Sequence, residues 1–303
     1  MSAVRIDGKA IAGEIGEEIK TSVSELVDRT GVVPTLAVVR TGEDPGSVWY
    51  AKAISRTMAT HGMVVQLHVL DAEASQGEIT ERVSRLGEDP VVHGILIQEP
   101  LPKNVDEGAV RAALSPTKDV DGVHEINAGR LALAAPAGRQ PGVGAFFVPA
   151  TPLGAMELLR HCGVKITGKS VVVLGRSAIV GKPLALLLLR ENATVTICHS
   201  QTADLRTTCR QADILCVAVG QAEMVRGDWI KPGAVVIDFG TNEVERRMVG
   251  DVNYNEAIQV AGMVTPVPGG TGPMTSVMMC ANVLSAAKRQ LGMGDHTSTP
   301  DGS

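Results

Sequence analysis

The sequence predicts an α/β protein made of two open domains with doubly wound parallel sheets, and three observations carry that expectation. The chain has 303 residues, which at about 150 residues per domain suggests two domains. Short β-branched runs alternate with helix-like segments in both halves, the pattern of parallel strands joined by crossover helices. Between them, "LALAAPAGRQPGVGAFFV" from about Leu131 to Val148 loses periodicity and gathers Gly, Pro and Ala, as a connection does.

Taken in order, "MSAVRIDGKAIAGEIGEEIK" reads as a short strand followed by an amphipathic helix. "PTLAVVRTG" (34–42), a helix to about Gly62, "MVVQLHVL" (63–70), a second helix and "VVHGILIQEP" (91–100) then form an open α/β unit. The strands lack polar alternation, so both their faces are expected to be covered. Ligands sit beyond the carboxyl ends of such strands. Those ends carry "RTGEDPGSVWY" and "QEPLPKNVD", a candidate cleft wall. After the connection, "TPLGAMELLRHCG" resumes a helix. "SVVVLGRSAIVGKPLALLLLRENATVTICHS", "ADILCVAVG" and "GAVVIDFG" then repeat the strand–helix pattern as a second doubly wound domain. The chain closes with an apolar helix and "GMGDHTSTPDGS", expected to be a disordered tail.

Composition excludes several functions. Hydrophobic residues make up 44% and charged residues 20%, as in an ordinary globular protein. With 28 basic and 33 acidic residues, a net charge of −5 and no Lys/Arg cluster, there is no electrostatic footprint for nucleic acid or an anionic membrane. Three Phe, two Trp and two Tyr are too few for a base-stacking platform. The cysteines Cys162, Cys198, Cys209, Cys216 and Cys280 show no C-x-x-C spacing and suit free thiols in a reducing, cytoplasmic compartment; no metal site is expected. The N-terminus lacks a secretory pattern, and no apolar run approaches the ~20 residues that span a bilayer.

The second domain carries a candidate dinucleotide site. A strand ending at Leu174 is followed by Gly175, "RSAIV", Gly181, Lys182 and Pro183 at the start of an apolar helix. This departs from G-x-G-x-x-G, yet strand, glycine turn and helix form one βαβ unit whose free N–H groups could face a phosphate. The next strand ends in "TVTICHSQT" without the carboxylate that commonly holds the NAD ribose. His199, Ser200 and Thr202 offer donors there, and Arg176 stands where a guanidinium could pair with a 2′-phosphate, so NADP is expected over NAD. Singly, Arg176 reads equally well as a solvated charge and Ser200 as a turn residue; together they favour the cofactor.

"GILIQEPLP", "KDVDGVHEINAGRL", the "PATP" turn, "GRSAIVGKP" and "TPVPGGTGPMT" lie in an order and spacing that resembles the methylenetetrahydrofolate dehydrogenase/cyclohydrolase family, over about residues 3–290. The resemblance implies a catalytic domain at 1–147, an NADP-binding Rossmann domain at 148–273, a helix at 274–291 packing back on the first domain, and a tail at 292–303. It further implies a homodimer with a folate cleft between the domains. Matched residue by residue, it makes Asp121 the pterin anchor, Gln98 the residue that orients the lysine and reactive carbon, and Tyr50 the ring that stacks on folate. Pro268, Gly269 and Gly270 become the loop where nicotinamide and folate meet. Gly175, Arg176, Ser177, Ile179, His199, Ser200, Thr202 and Thr241 become the cofactor contacts.

The family motif is Tyr-x-x-x-Lys, and "YAKAIS" puts Ile54 at the lysine position. Lys52 at i+2 and Arg56 at i+6 are not positional substitutes, because only i+3 and i+4 share the tyrosine's face. Hydrolysis of a methenyl group needs an activated water, and isoleucine cannot move its proton. Glu99 in place of an apolar residue, Trp49 and Val48 before the tyrosine, Ala150 for a cysteine and Thr241 for isoleucine are further departures. The expectation is an NADP-dependent dehydrogenase of 5,10-methylenetetrahydrofolate with doubtful cyclohydrolase activity. Its rivals are an oxidoreductase of another cyclic amine or imine, and a non-catalytic folate- or nucleotide-binding paralogue.

Overall fold

The computed structural model describes residues 3–136 and 146–293. Half of the expected connection (137–145) and all but two residues of the expected tail therefore lie outside the described residues. The chain divides into two compact units, Ile15–Asn127 with Met279–Ser303, and Met1–Glu14 with Ala128–Met278. The first half of the chain runs β1 (Val4–Arg5), α1 (Gly8–Thr30), β2 (Thr35–Thr41), α2 (Pro45–Thr60), β3 (Val64–Leu70), α3 (Gln76–Glu88), β4 (Gly94–Ile97), α4 (Glu107–Ala112) and α5 (Glu125–Leu133). The second runs α6 (Ala150–His161), β5 (Ser170–Leu174), α7 (Gly181–Arg190), β6 (Thr194–Cys198), α8 (Leu205–Arg210), β7 (Ile214–Val217), β8 (Val235–Asp238), β9 (Asn242–Val244), β10 (Arg247–Val249), α9 (Tyr254–Val260), β11 (Met263–Val264) and α10 (Thr271–Gln290).

In the unit containing Ile15–Asn127, β3, β2 and β4 form a parallel sheet in that order. The helices start where short polar side chains take up orphan N–H groups. Asp44 accepts from Ser47 N with Pro45 at the first turn of α2, Ser75 and Glu78 form a capping box on α3, and Asp106 accepts from Gly108 N on α4. Every residue of β2 is buried, and Ala37, Val39, Ile79, Val83, Val92, Ile95, Val110 and Leu114 build the core. β3 departs from the expected two-faced burial: Val64, Leu67 and Val69 are 46%, 49% and 45% exposed. The apolar run predicts a strand covered on both faces, but in a three-stranded sheet β3 lies at the edge.

The other unit holds a six-stranded sheet ordered β1-β11-β8-β7-β5-β6, with every pair parallel. β1 pairs with β11 and so joins this sheet rather than the N-terminal strands. Sequence neighbours β5 and β6 lie on one side of the order and β7 on the other side of β5, so the carboxyl end of β5 is the topological switch point where ligands bind. A short antiparallel hairpin, β9–β10, was not foreseen. Its turn residues Glu245 and Arg246 both adopt positive φ (50° and 63°), the geometry of a type I′ turn without the Asn-Gly signal that normally betrays one.

Two aspartates pin the loops at the carboxyl edge of this sheet. Asp251, 0% exposed, accepts hydrogen bonds from Val219 N (2.7 Å), Gly220 N (2.9 Å), Gln221 N (2.9 Å) and Asn242 Nδ2 (2.9 Å). Asp238 accepts from Gly240 N, Asp251 N and Val252 N, and burial pushes its carboxyl up to about 6 despite those donors. Leaving one buried donor unpaired costs about 1–3 kcal/mol. Asp251→Ala is therefore expected to destabilise the protein by about 3 kcal/mol or more, and Asp251→Asn, which keeps one acceptor oxygen, by clearly less. Urea denaturation midpoints check this order; equal midpoints for the alanine variant and wild type would contradict it.

Candidate functional site

Tyr50, Gln98 and Asp121 belong to the unit with the three-stranded sheet, on α2, at the end of β4 and on the loop before α5. Backbone and side-chain bonds tie α2 to the end of β4. Ser47 Oγ donates to Glu99 O (2.9 Å), Gln98 Nε2 donates to Ser47 O (3.1 Å), and Gln98 N donates to Val39 O (2.9 Å). Gln98 is 6% exposed, and its buried Oε1 has no hydrogen-bond partner among the described residues. Ile54 is fully buried in the stripe Ser47, Ala51, Ile54 and Met58 that α2 turns to the core, while Lys52 and Arg56 are exposed.

The Asp121 loop is built around its neighbour Asp119. Asp119 is 0% exposed and accepts from Val123 N (3.1 Å), His124 N (2.9 Å) and Asn127 Nδ2 (2.8 Å). Gly122 at φ 62° makes the turn that a side chain would strain. Asp121, by contrast, accepts no hydrogen bond from a described residue, and burial pushes its carboxyl up to about 7, helped by the carboxylates of Asp119 and Glu99 and opposed by Arg111. Burial likewise raises the Tyr50 phenol, with Asp121 and Cys280 adding to the effect. Tyr50 is therefore a neutral hydrogen-bonding ring and not a base. Asp44, Ser47, Asp119 and Arg111 went unnoticed in the sequence. Asp44 was legible as the N-cap before Pro45, and Asp119 lies in the same "KDVDG" run as Asp121; no sequence signal marks Arg111.

The expected cofactor residues lie in the other unit, all beyond the carboxyl ends of the parallel strands. Gly175, Arg176, Ser177 and Ile179 follow β5; His199, Ser200 and Thr202 follow β6; Thr241 follows β8; Pro268, Gly269 and Gly270 follow β11. Gly175 has φ 129°, and a Cβ there would stand 2.1 Å from Ala218 O; at Gly181 one would stand 2.3 Å from Gly175 O. The turn is thus as tight as a dinucleotide cradle requires, without the middle glycine of the common fingerprint. Arg176 is exposed and makes no ion pair among the described residues, so its charge is available to a phosphate.

Some expected donors are occupied. Ser177 Oγ accepts from Val180 N (3.1 Å) and Gly181 N (3.3 Å), so those two N–H groups close the turn instead of pointing outward as free donors. Thr202 Oγ1 accepts from His199 N (3.0 Å) and His199 Nδ1 accepts from Gln201 N (3.2 Å), which builds the post-β6 turn from the side chains expected to face the ribose. Ser200 and Thr241 are exposed. Among the described residues no group of His, Cys, Asp and Glu could hold a metal, and no helix is long and apolar enough to cross a membrane.

Comparison with known proteins places this geometry. Residues 6–121 match the tetrahydrofolate dehydrogenase/cyclohydrolase catalytic domain, and residues 149–291 match the NAD(P)-binding domain of the same family. The bifunctional protein FolD of Phenylobacterium zucineum is 48% identical over 304 residues, covering 97% of this chain and 99% of that one. The bifunctional FolD structure from Campylobacter jejuni superposes with a TM-score of 0.90 at 37% identity, covering 95% of this chain and 99% of that one. The Trypanosoma brucei methylenetetrahydrofolate dehydrogenase-cyclohydrolase, solved with NADP and an inhibitor, has a TM-score of 0.89 and 40% identity over 96% of this chain and 99% of its own. With both domain models matched in order and relatives aligned from end to end, the chain belongs to the tetrahydrofolate dehydrogenase/cyclohydrolase family.

Proposed function

We propose that the protein oxidises 5,10-methylenetetrahydrofolate to 5,10-methenyltetrahydrofolate with NADP, and that it has little or no cyclohydrolase activity. The family match over nearly the whole chain supports this over the rival readings, a different cyclic amine or a non-catalytic paralogue. The observation that carries it is Asp121, which accepts no hydrogen bond from a described residue, on a loop tied by Asp119 in the same unit as Tyr50 and Gln98. Its ionised carboxylate would receive the paired N–H donors of a pterin edge, as bidentate pairs do. Tyr50 would cover the ring as a neutral phenol. Bound NADP supplies the hydride acceptor: the methylene C–H bond breaks with its electron pair, leaving a cation shared by the two flanking nitrogens. Alignment is the main demand of that step, and none of it requires a lysine.

Hydrolysis is a different matter. Water attacking the methenyl carbon must lose a proton, and the Ile54 position offers no acceptor for it. Gln98 Oε1 supports the same reading, because no donor among the described residues occupies its lone pairs. Separate assays of NADPH and methenyl-folate absorbance are expected to show dehydrogenation with hydrolysis near the buffer rate. Ile54→Lys is expected to raise hydrolysis at least about tenfold, since burial lowers a lysine's pKa toward the range in which it shuttles protons. The same burial should lower stability by about 1–3 kcal/mol. Rapid hydrolysis by the wild-type protein that disappears in Lys52→Ala would overturn the reading.

For the cofactor, the proposed contacts are the Gly175 turn, with Arg176 on the 2′-phosphate. A charge-assisted bond of about 1.5–3 kcal/mol corresponds to roughly 10- to 100-fold in affinity. Arg176→Ala should weaken NADP by that factor and leave NAD nearly unchanged in equilibrium binding. Equal losses for both would remove Arg176 from the 2′-phosphate.

The buried free thiols of Cys198, Cys209, Cys216 and Cys280 support a reducing, cytoplasmic setting. We also propose a homodimer, supported by the open edge of β3, where Val64, Leu67 and Val69 leave apolar surface and unpaired backbone for a second copy. Leu67→Lys is expected to shift the dimer to monomer in analytical ultracentrifugation; an unshifted dimer would place the interface elsewhere.

A further inference from the structure

Arg40 Nε, a donor, and Gln98 Oε1, an acceptor, are both buried without a hydrogen-bond partner among the described residues. The strands set them side by side. Val39 on β2 is the register partner of Ile97 on β4, and Gln98 N donates to Val39 O (2.9 Å), which carries the ladder one step further and brings Arg40 beside Gln98. One residue past Arg40, Thr41 Oγ1 donates to Pro100 O (3.3 Å), so the two segments stay together beyond the strand ends. Val39 and Ile97 pack into the core with Ile79 and Val83 of α3. Arg40 and Gln98, each one residue further along, therefore point to the opposite face of the sheet.

Their side chains also run the same way. Arg40 Nη2 reaches Glu43 Oε1 (2.8 Å) in the turn before α2, and Gln98 Nε2 reaches Ser47 O (3.1 Å) in the first turn of that helix. Each orphan atom stands four bonds from its own Cα, on backbones about 4.8 Å apart. The Arg40 side chain is 6% exposed, whereas Glu43, its one ion-pair partner among the described residues, is 74% exposed and largely screened by water. A guanidinium buried in this way carries a permanent charge that is only partly met.

We propose that Arg40 is the positioning residue of Gln98: its Nε–H engages Oε1 after rotation about the last side-chain bonds, so the amide is held by a cation at one end and by α2 at the other. An amide fixed only through Nε2 can still turn; fixed at both ends it keeps its plane and steadies the first turn of α2, with Tyr50 one turn beyond Ser47. The family resemblance makes Gln98 the partner of a lysine on α2, at the position that Ile54 fills, and here the cation comes from the sheet instead. Arginine stays protonated, so it holds a charge without carrying a proton, which suits hydride transfer and not hydrolysis. The meaning for catalysis rests on the folate reading above; the pairing itself does not.

Charge tests the pairing. Gln98→Glu sets a buried carboxylate where the amide stood, tolerable beside a guanidinium and costly without one. The substitution should lower the urea midpoint clearly less when Arg40 is present than in an Arg40→Met background, and an equal loss in both backgrounds overturns the proposal. Should Arg40→Met not fold, NMR of protein labelled with 15N-arginine decides. The Arg40 Nε–H signal, identified by its absence in Arg40→Lys, should move downfield in Gln98→Glu; an unmoved signal overturns the pairing. In the reaction, Arg40→Met should lower kcat for NADP-dependent oxidation of 5,10-methylenetetrahydrofolate by roughly 10- to 100-fold, the scale of a misplaced reacting group, with KM for NADP unchanged and part of the loss recovered in Arg40→Lys. An unchanged kcat in folded Arg40→Met overturns the positioning role. If the wild-type protein does not oxidise the folate at all, the folate reading falls, while the urea and NMR measurements still decide the pairing.

Discussion

A buried carboxylate is tolerable only when donors surround it, and both units of this protein are organised by that requirement. Asp119, Asp238 and Asp251 have 0%, 2% and 0% of their surface exposed. Asp238 and Asp251 gather backbone N–H groups from loops that follow strand ends, and Asp119 gathers them from the loop between α4 and α5, where regular pairing is absent and those groups would otherwise be orphaned. The loops that carry candidate function therefore have fixed backbones without belonging to any helix or sheet. Asp121 is the exception that gives the arrangement its use. It stands on a loop braced by Asp119 and accepts no hydrogen bond from a described residue.

The division of labour between neighbouring residues recurs in the cofactor turn. Ser177 and Thr202 spend their hydroxyls on local backbone, and Gly175 N donates to Cys198 O, which together shape the turn, while the exposed Arg176 makes no ion pair among the described residues. Residues that look alike in a motif thus do unlike work. Those satisfied internally set the geometry, and those left unsatisfied are the proposed ligand contacts.

The alternation of strands and helices was legible in the sequence because parallel strands with crossover helices write continuous apolar runs between helical periods. Asp121, Tyr50 and Gln98 were found through a family pattern, and Ile54 stood out only against that pattern. What escaped was what one-dimensional patterns do not encode. β3 reads like a central strand because its composition does not record how many strands lie beside it. The β9–β10 turn is built from Glu245 and Arg246, which carry none of the usual turn chemistry. Arg111 looks like any solvated helix cation until the fold pairs it with Glu99 just beyond β4.

The two tryptophans fall one in each unit. Trp49, 71% exposed, directly precedes Tyr50 on α2, whereas Trp229 is partly buried against the core of the six-stranded sheet. Indole emission shifts to longer wavelength with water contact, so the protein carries two intrinsic probes of different colour, and ordering of the folate-side loops and loosening of the nucleotide-side core can be followed separately in the same unlabelled sample.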